Sequence, residues 1–216
     1  MHRLLLLISL LPLLAALILR KLYADRVLKE SRVMDLGRDG SSLARSMLVS
    51  MGHEDTELRL TKGEWAGAAA SGEGWLSLPS KTALGNSVAD HGQVALRVGL
   101  YFLSLKDPAS VARRRWALRF GHVFPIFTAV VCVFALLVGK LPVLWLVSIV
   151  MGSLGLAACA QLLTLAANLQ ASAMAAVILE KKRILPRSSD EENVVAAVRA
   201  WAWHAIVPGM ISRFMS

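Results

Sequence analysis

Two stretches of the chain are apolar and nearly free of charge. Residues 4–19 carry none, and residues 120–179 carry only Lys140. A helix needs about 20 apolar residues to cross the hydrocarbon core of a bilayer. The first stretch therefore predicts one span and the second predicts two, folded back at Gly139, Lys140, Leu141 and Pro142. Residues 23–34 place charged and apolar side chains at helical spacing, which extends the first span into the interface. Residues 41–51 predict a short helix with Asp39 and Ser41 as N-cap candidates and Gly52 as C-cap candidate. TELRLT (56–61) and WLSL (75–78) alternate with period two and predict a small hairpin or two neighbouring strands, separated by a Gly/Ala/Ser-rich loop over 63–74 and closed by Pro79.

Residues 86–105 predict a mostly apolar helix buried against the membrane helices, broken by Asp107 and Pro108. Residues 109–118 read as a basic surface segment leading into the second span. After the third span, 186–193 read as a loop in which Ser188 and Ser189 cap a last helix. Asp190, Glu191 and Glu192 lie in its first turn, where the helix dipole favours acids. Residues 194–207 are too short to span and contain Trp201, Trp203 and His204, which suits an interfacial or bundle-packed helix. The expected fold is a mainly α membrane protein with about three transmembrane helices. Its parts are an anchor at 1–22, an α+β segment at 23–118, a transmembrane hairpin at 119–180 and a C-terminal interfacial helix at 187–216.

Composition supports this pattern. Of 216 residues, 56% are hydrophobic, and the mean hydropathy is +0.55, too apolar for an ordinary soluble domain. A net charge of +9 would point to nucleic acid in a soluble protein. Here the positive charges flank the apolar runs, so membrane lipids with anionic headgroups are the expected partners and nucleic acid is not. Arg113, Arg114 and Arg115 form the expected lipid-facing patch. Only Arg3 precedes the first run, whereas Arg20, Lys21, Arg26, Lys29 and Arg32 follow it. This distribution, with Arg113–Arg115 and Arg119 before the second run and Lys181, Lys182, Arg183 and Arg187 after the third, predicts an outside N-terminus and a cytoplasmic polar segment. No small-x-small cleavage pattern follows the first run, so it reads as a retained anchor. Cys132 and Cys159 fall within apolar stretches and read as buried thiols outside any disulfide framework.

Candidate chemistry is sparse. The stretch from His53 to Glu57 begins like HExxH but lacks the second histidine, and reads as a solvated turn. His122 and His204 are the candidates for holding a cofactor, against interfacial roles for both. Gly152, Ser153, Gly155, Ala157 and Ala158 put small residues along the third span, suited to packing within the hairpin or docking to another membrane subunit.

Four pieces carry a family resemblance: GSSLARSML (40–48), LSLPSKTALGNS (76–87), VADHGQVALR (88–97) and QLLTLAANLQAS (161–172). They resemble, in order, the early helix, the strand and turn, the AAHEVGHAIQ helix and the QLVTLPVEFNAS segment of the YugP-type membrane zinc metallopeptidases. The resemblance implies a small bacterial inner-membrane protein with an anchor, a short α+β segment, a zinc helix and a transmembrane hairpin. In that family two histidines four apart and a later glutamate bind zinc, and the glutamate between the histidines acts as general base. The positions here are Asp90 and Val94 for the histidines, His91 for the base and Asn168 for the third ligand. Sliding the register by one, so that His91 stands first, puts Gly92 and Ala95 in the remaining places.

The expectation is therefore a degenerate, non-catalytic scaffold, without metal or cofactor, serving as an accessory subunit of a larger membrane complex. Asn168, Gln161 and Gln170 are expected to hydrogen-bond to the 86–105 helix in place of a metal bridge. The alternatives are an active peptidase with an atypical site built from Asp90, His91 and Asn168, and a cofactor-holding subunit of an energy-transducing complex.

Overall fold

The computed structural model describes residues 2–62, 71–72, 74–139 and 142–207, and of residues 2–9 the backbone alone. Helix α1 (His2–Arg20) passes through a π-helical turn (Lys21–Asp25) into α2 (Arg26–Ser31). The wider turn brings Arg20 and Asp25, five residues apart, to a 2.9 Å ion pair. Helix α3 (Gly40–Ser50) starts at Asp39, whose carboxylate accepts from the Ser42 amide, and is followed by Gly52 at φ +76°, a left-handed position that suits glycine. Both predicted end signals fall where the sequence places them.

The strands are β1 (Glu57–Thr61), β2 (Ser71–Gly72) and β3 (Trp75–Pro79), in the order β1-β3-β2. β1 and β3 are neighbours but run parallel, in register from Glu57 opposite Trp75 to Thr61 opposite Pro79. The hairpin alternative is thereby excluded, since a parallel pair needs a crossover. That crossover runs through 62–74, most of which lies outside the described residues, and β2 within it pairs antiparallel with β3. A short helix α4 (Ser80–Ala83) follows β3.

Helix α5 (Val88–Lys106) is the centre of the core. Asp107 closes it and caps α6 (Pro108–Leu137), accepting from the Ser110 amide, with Pro108 in the first turn where its missing N–H costs nothing. The basic segment and the second span are thus one continuous helix, not two pieces. α7 (Val143–Leu162) and α8 (Leu165–Lys182) are separated by a step at Leu163 and Thr164, where the Thr164 hydroxyl donates to the Gln161 carbonyl at 2.7 Å. QLLTLAANLQAS straddles this step. α9 (Ser188–His204) is already helical at Ser188, so the expected loop at 186–193 is shorter than its polar composition suggested, and Arg187 supplies no side-chain cap. Cys132 is buried, but Cys159 is exposed on α7, correcting the expectation of two buried thiols.

Helix packing rests on small residues. At Gly99 a Cβ would collide with the Ala171 carbonyl of α8, and at Gly92 it would meet Ala197 of α9 at 2.6 Å. Phe102 and Leu105 share a groove with Met174 and Ile178, so α5 and α8 run in the same direction. The Trp201 indole donates to the Ala89 carbonyl at 2.7 Å, which sets α9 antiparallel to α5. α9 buries Val194, Ala197, Val198 and Ala202 in this bundle, as the bundle-packed expectation has it.

Two described stretches are long and apolar enough to cross a membrane, Pro108–Leu137 and Val143–Lys182. α1 lies along α7. It coincides with the first expected span, although its first side chains lie outside the described residues.

Candidate functional site

The first turns of α5 carry Asp90, His91 and Val94, and each is used differently. Ser87 is the N-cap. Its hydroxyl accepts from the Asp90 amide at 3.1 Å and donates to Asp90 Oδ2 at 2.6 Å. This reciprocal cap starts the helix. The carboxylate also sits directly against Gly85, where a Cβ would collide with it. Asp90 is thus a helix-capping group folded back toward its own N-terminus.

His91 is fully buried. Its Nδ1 lies 2.8 Å from the Ser87 carbonyl, an acceptor, so Nδ1 carries the proton and Nε2 the lone pair. Nε2 is buried and has no hydrogen-bond partner among the described residues. Burial holds the imidazole pKa below its usual range. The Ser87 carbonyl opposes that shift, the Arg38 charge adds to it, and Asp90 and Asp39 weakly oppose it. Val94 is fully buried against α3, 3.0 Å from where a Gly40 Cβ would stand. The absence of a side chain at Gly40 lets the start of α3 close onto this face of α5.

Asn168 is also fully buried, but it faces α6. Its Oδ1 accepts from Arg114 Nε at 2.6 Å, and its Nδ2 donates to Thr164 Oγ1 at 3.4 Å. One face further along, the Gln161 side chain lies against Gly121. Arg114 and Gly121 are seven residues apart on α6, and Asn168 and Gln161 stand opposite them, so one hydrogen bond and one close approach at a glycine line up along the seam between α6 and α7–α8. This corrects the expectation that Asn168 and Gln161 bond to α5; Gln170 is exposed. Arg114 departs from the expected lipid patch in the same way: Arg113 is exposed, whereas Arg114 turns inward. Nothing in the sequence set Arg114 apart from Arg113 and Arg115 as the partner of Asn168.

The remaining candidates are dispersed. His122 is half-buried on α6, beside Gly121. His204 sits edge-on to Trp201 at the end of α9, its pKa pushed down to about 4 by burial first, then by the Arg20 and Arg32 charges, against Asp25. His53 packs edge-on against Tyr101 and Phe102, at 5.9 and 5.4 Å, so it is more than a solvated turn residue.

Among the described residues no three His, Cys, Asp or Glu side chains converge in a way that suits a metal ion. The donor chemistry at the four motif positions decides the fit more directly. Val94 has no donor atom. The Asn168 oxygen is already held by a guanidinium, whose positive charge opposes a dication. Asp90 is engaged by its own cap, which leaves the His91 lone pair as the one nitrogen donor. A zinc held by two histidines and a carboxylate does not fit these residues.

No curated protein and no solved structure matches the chain. A family model described as "Putative neutral zinc metallopeptidase" matches residues 2–215. A match over nearly the whole length leads to one assignment: the chain belongs to this zinc metallopeptidase family.

Proposed function

We propose that this chain is a non-catalytic member of its family, a membrane-embedded accessory subunit that acts by binding rather than by hydrolysis. One observation carries the reading. The position that would hold the third zinc ligand is Asn168, and its oxygen is bound by Arg114. Hydrolysis of this kind depends on a metal that lowers the pKa of its bound water to about 7. The side chains at Asp90, His91, Val94 and Asn168 supply neither the ligand set nor the carboxylate base. The charge pattern supports an outside N-terminus, spans along α1, α6 and α7, and a cytoplasmic 20–119 segment in a bacterial inner membrane. The exposed apolar faces of α6 and α7 are then covered by lipid and by neighbouring membrane subunits.

The test compares the native chain with a fourfold variant, Asp90→His, His91→Glu, Val94→His and Asn168→Glu. Both are purified in detergent without chelators, then assayed for bound zinc and for casein cleavage. The expected result is no stoichiometric zinc and no cleavage for the native chain. Stoichiometric zinc together with chelator-sensitive cleavage by the native chain overturns the reading. Native pull-down in mild detergent then identifies the partner subunits.

A further inference from the structure

Helices α5 and α8 touch at Gly99, where a Cβ would stand 3.2 Å from Ala175 Cβ and against the Ala171 carbonyl. One turn further on, the facing residues are large: Phe102 and Leu105 on α5, Met174, Val177 and Ile178 on α8. Small residues let a helix pair close and large ones hold it apart, so a groove opens beyond the contact. The turn after α3 walls one side. There the His53 amide donates to the Leu48 carbonyl at 3.0 Å, and the ring rests edge-on against Phe102. The cavity so formed is about 400 Å³. Small-molecule sites run from about 300 to 1,000 Å³, so this one is at the lower end. Phe102 and Ile178 are its buried floor, whereas Met51, Leu105 and Val177 stand at its rim, each at least 43% exposed.

The polar side chains lining this groove are His53 and Lys106, and no acid lines it among the described residues. Lys106 makes no ion pair with a described residue, and the neighbouring Asp107 is turned to the Ser110 amide. Lys181 lies one turn beyond Ile178 on the same face of α8. Glu180 lines a separate groove on the α9 side, with Glu191 and Glu192. α8 thus separates an acidic groove from an apolar one with a basic end. The apolar groove reaches Val177, about 13 Å beyond Asn168 along α8 and past the apolar run of α7, where bilayer lipid is not the expected cover. We propose that it binds a medium-chain aliphatic carboxylate. The chain lies on Phe102, Met174 and Ile178, and the carboxylate accepts from the Lys106 ammonium. One lining cation matches one negative charge, the volume suits a single chain, and the methionines adapt to a flexible one. The site shares no residue with Asp90, His91, Val94 or Asn168, and it stands apart from the accessory-subunit reading.

The test uses the full chain held in amphipol. The probe is decanoate with a diazirine at its far end, and mass spectrometry maps the adducts. Adducts on α6 and α7 report partition onto the apolar hairpin and serve as the internal reference. The expected result is saturable labelling at Met51, Met174 or Val177, displaced by plain decanoate. Decanol keeps the chain without the charge and is expected to displace it about fivefold less well, the size of an exposed ion pair. Lys106→Met keeps the stem, loses the ammonium, and is expected to lower groove labelling by about the same factor while hairpin labelling holds. Val177→Trp fills the groove and is expected to remove its adducts. Both positions are exposed, so neither change disturbs the core. Equal displacement by decanol marks an apolar contact face without carboxylate recognition and overturns the proposal. Undiminished groove labelling in either variant, or adducts confined to the hairpin, overturns it as well.

Discussion

Helices α5 and α7 are close in length, 19 and 20 residues, and both are mostly apolar, yet they sit in opposite surroundings. α5 is covered on nearly every side by α3, α8, α9 and the sheet, and buries Val94, Ala95, Val98 and Tyr101 almost completely. α7 touches α1 and α6 but leaves Val143, Leu144, Trp145, Val147 and Leu156 exposed at 44% or more. The difference shows what each helix packs into. Protein packs around the apolar side chains of α5, and the bilayer is the expected surroundings for those of α7. Glycines mark the contrast. Gly92 and Gly99 on α5 stand where no side chain fits, whereas Gly152 on α7 has nothing within 4 Å of the place a Cβ would occupy.

The largest expected effect follows from that contrast. Gly99→Val drives a branched side chain into the Ala171 carbonyl of α8, a backbone group that can move only with its helix. Overpacking of this kind costs about 3 kcal/mol or more. The expected outcome is a Tm many degrees lower, or failure to accumulate folded protein, measured by circular dichroism in detergent.

A smaller loss is expected at the polar seam joining α6 to α8. Asn168→Ala removes the acceptor of a 2.6 Å bond from Arg114 and leaves a partly buried guanidinium without it. Hydrogen bonds to charged groups contribute about 1.5–3 kcal/mol. Asn168→Asp tests the same contact in the other direction. It supplies a full negative charge to Arg114 and is expected to be close to native or more stable. Thermal melts of both variants separate a specific bond from generic packing.

This seam shows how far the sequence could be read. Periodicity and end signals located α3, β1, β3, α5 and the hairpin, because each is encoded locally: Asp39 at a cap, Asp107-Pro108 at a break, and alternation at the strands. The motif comparison placed Asp90, His91, Val94 and Asn168. What their side chains do was not legible, because it depends on partners far along the chain. Asn168 meets Arg114 at a separation of 54 residues, and Arg38 reaches Ile184 at 146. The start of α9 is legible to within a residue or two, since Ser188 and Ser189 read as caps and the helix begins at Ser188, although the same polar run to Asn193 also reads as a loop. Parallel pairing of β1 and β3 was hidden, since alternation sets the face of each strand and leaves its direction open.

The buried histidines outside the membrane-spanning helices respond alike to acid. His91 sits in the α5 core and His204 at the end of α9, and burial holds both pKa values below the ordinary histidine range, His204 at about 4. A histidine with a depressed folded-state pKa binds its proton more readily when unfolded. Stability is therefore full above about pH 6.5, the unfolded value, and falls as pH drops toward 4. Melts between pH 7.5 and 4.5 are expected to show this decline, and His204→Gln is expected to flatten part of it. A decline unchanged in His204→Gln would place the effect on other groups.

The smallest expected effect belongs to α7. Gly152→Ala adds a methyl group where nothing lies within 4 Å, and removes a glycine from a helix interior. Within the isolated chain, the helical preference for alanine over glycine gives a gain of about 0.5–1 kcal/mol, and no clash offsets it. Gly152→Leu sharpens the point. A side chain larger than the valine that Gly99 cannot accept should leave the melting temperature of the detergent-purified chain within a degree or two of native. If Gly152 instead meets a helix of another subunit, leucine leaves the chain folded but displaces that subunit, since close helix approach in membranes depends on small residues. The comparison thus becomes a measurement of two quantities on one variant. An unchanged melt with loss of the co-purifying membrane partner assigns this face to protein contact, and an unchanged melt with the partner retained assigns it to lipid.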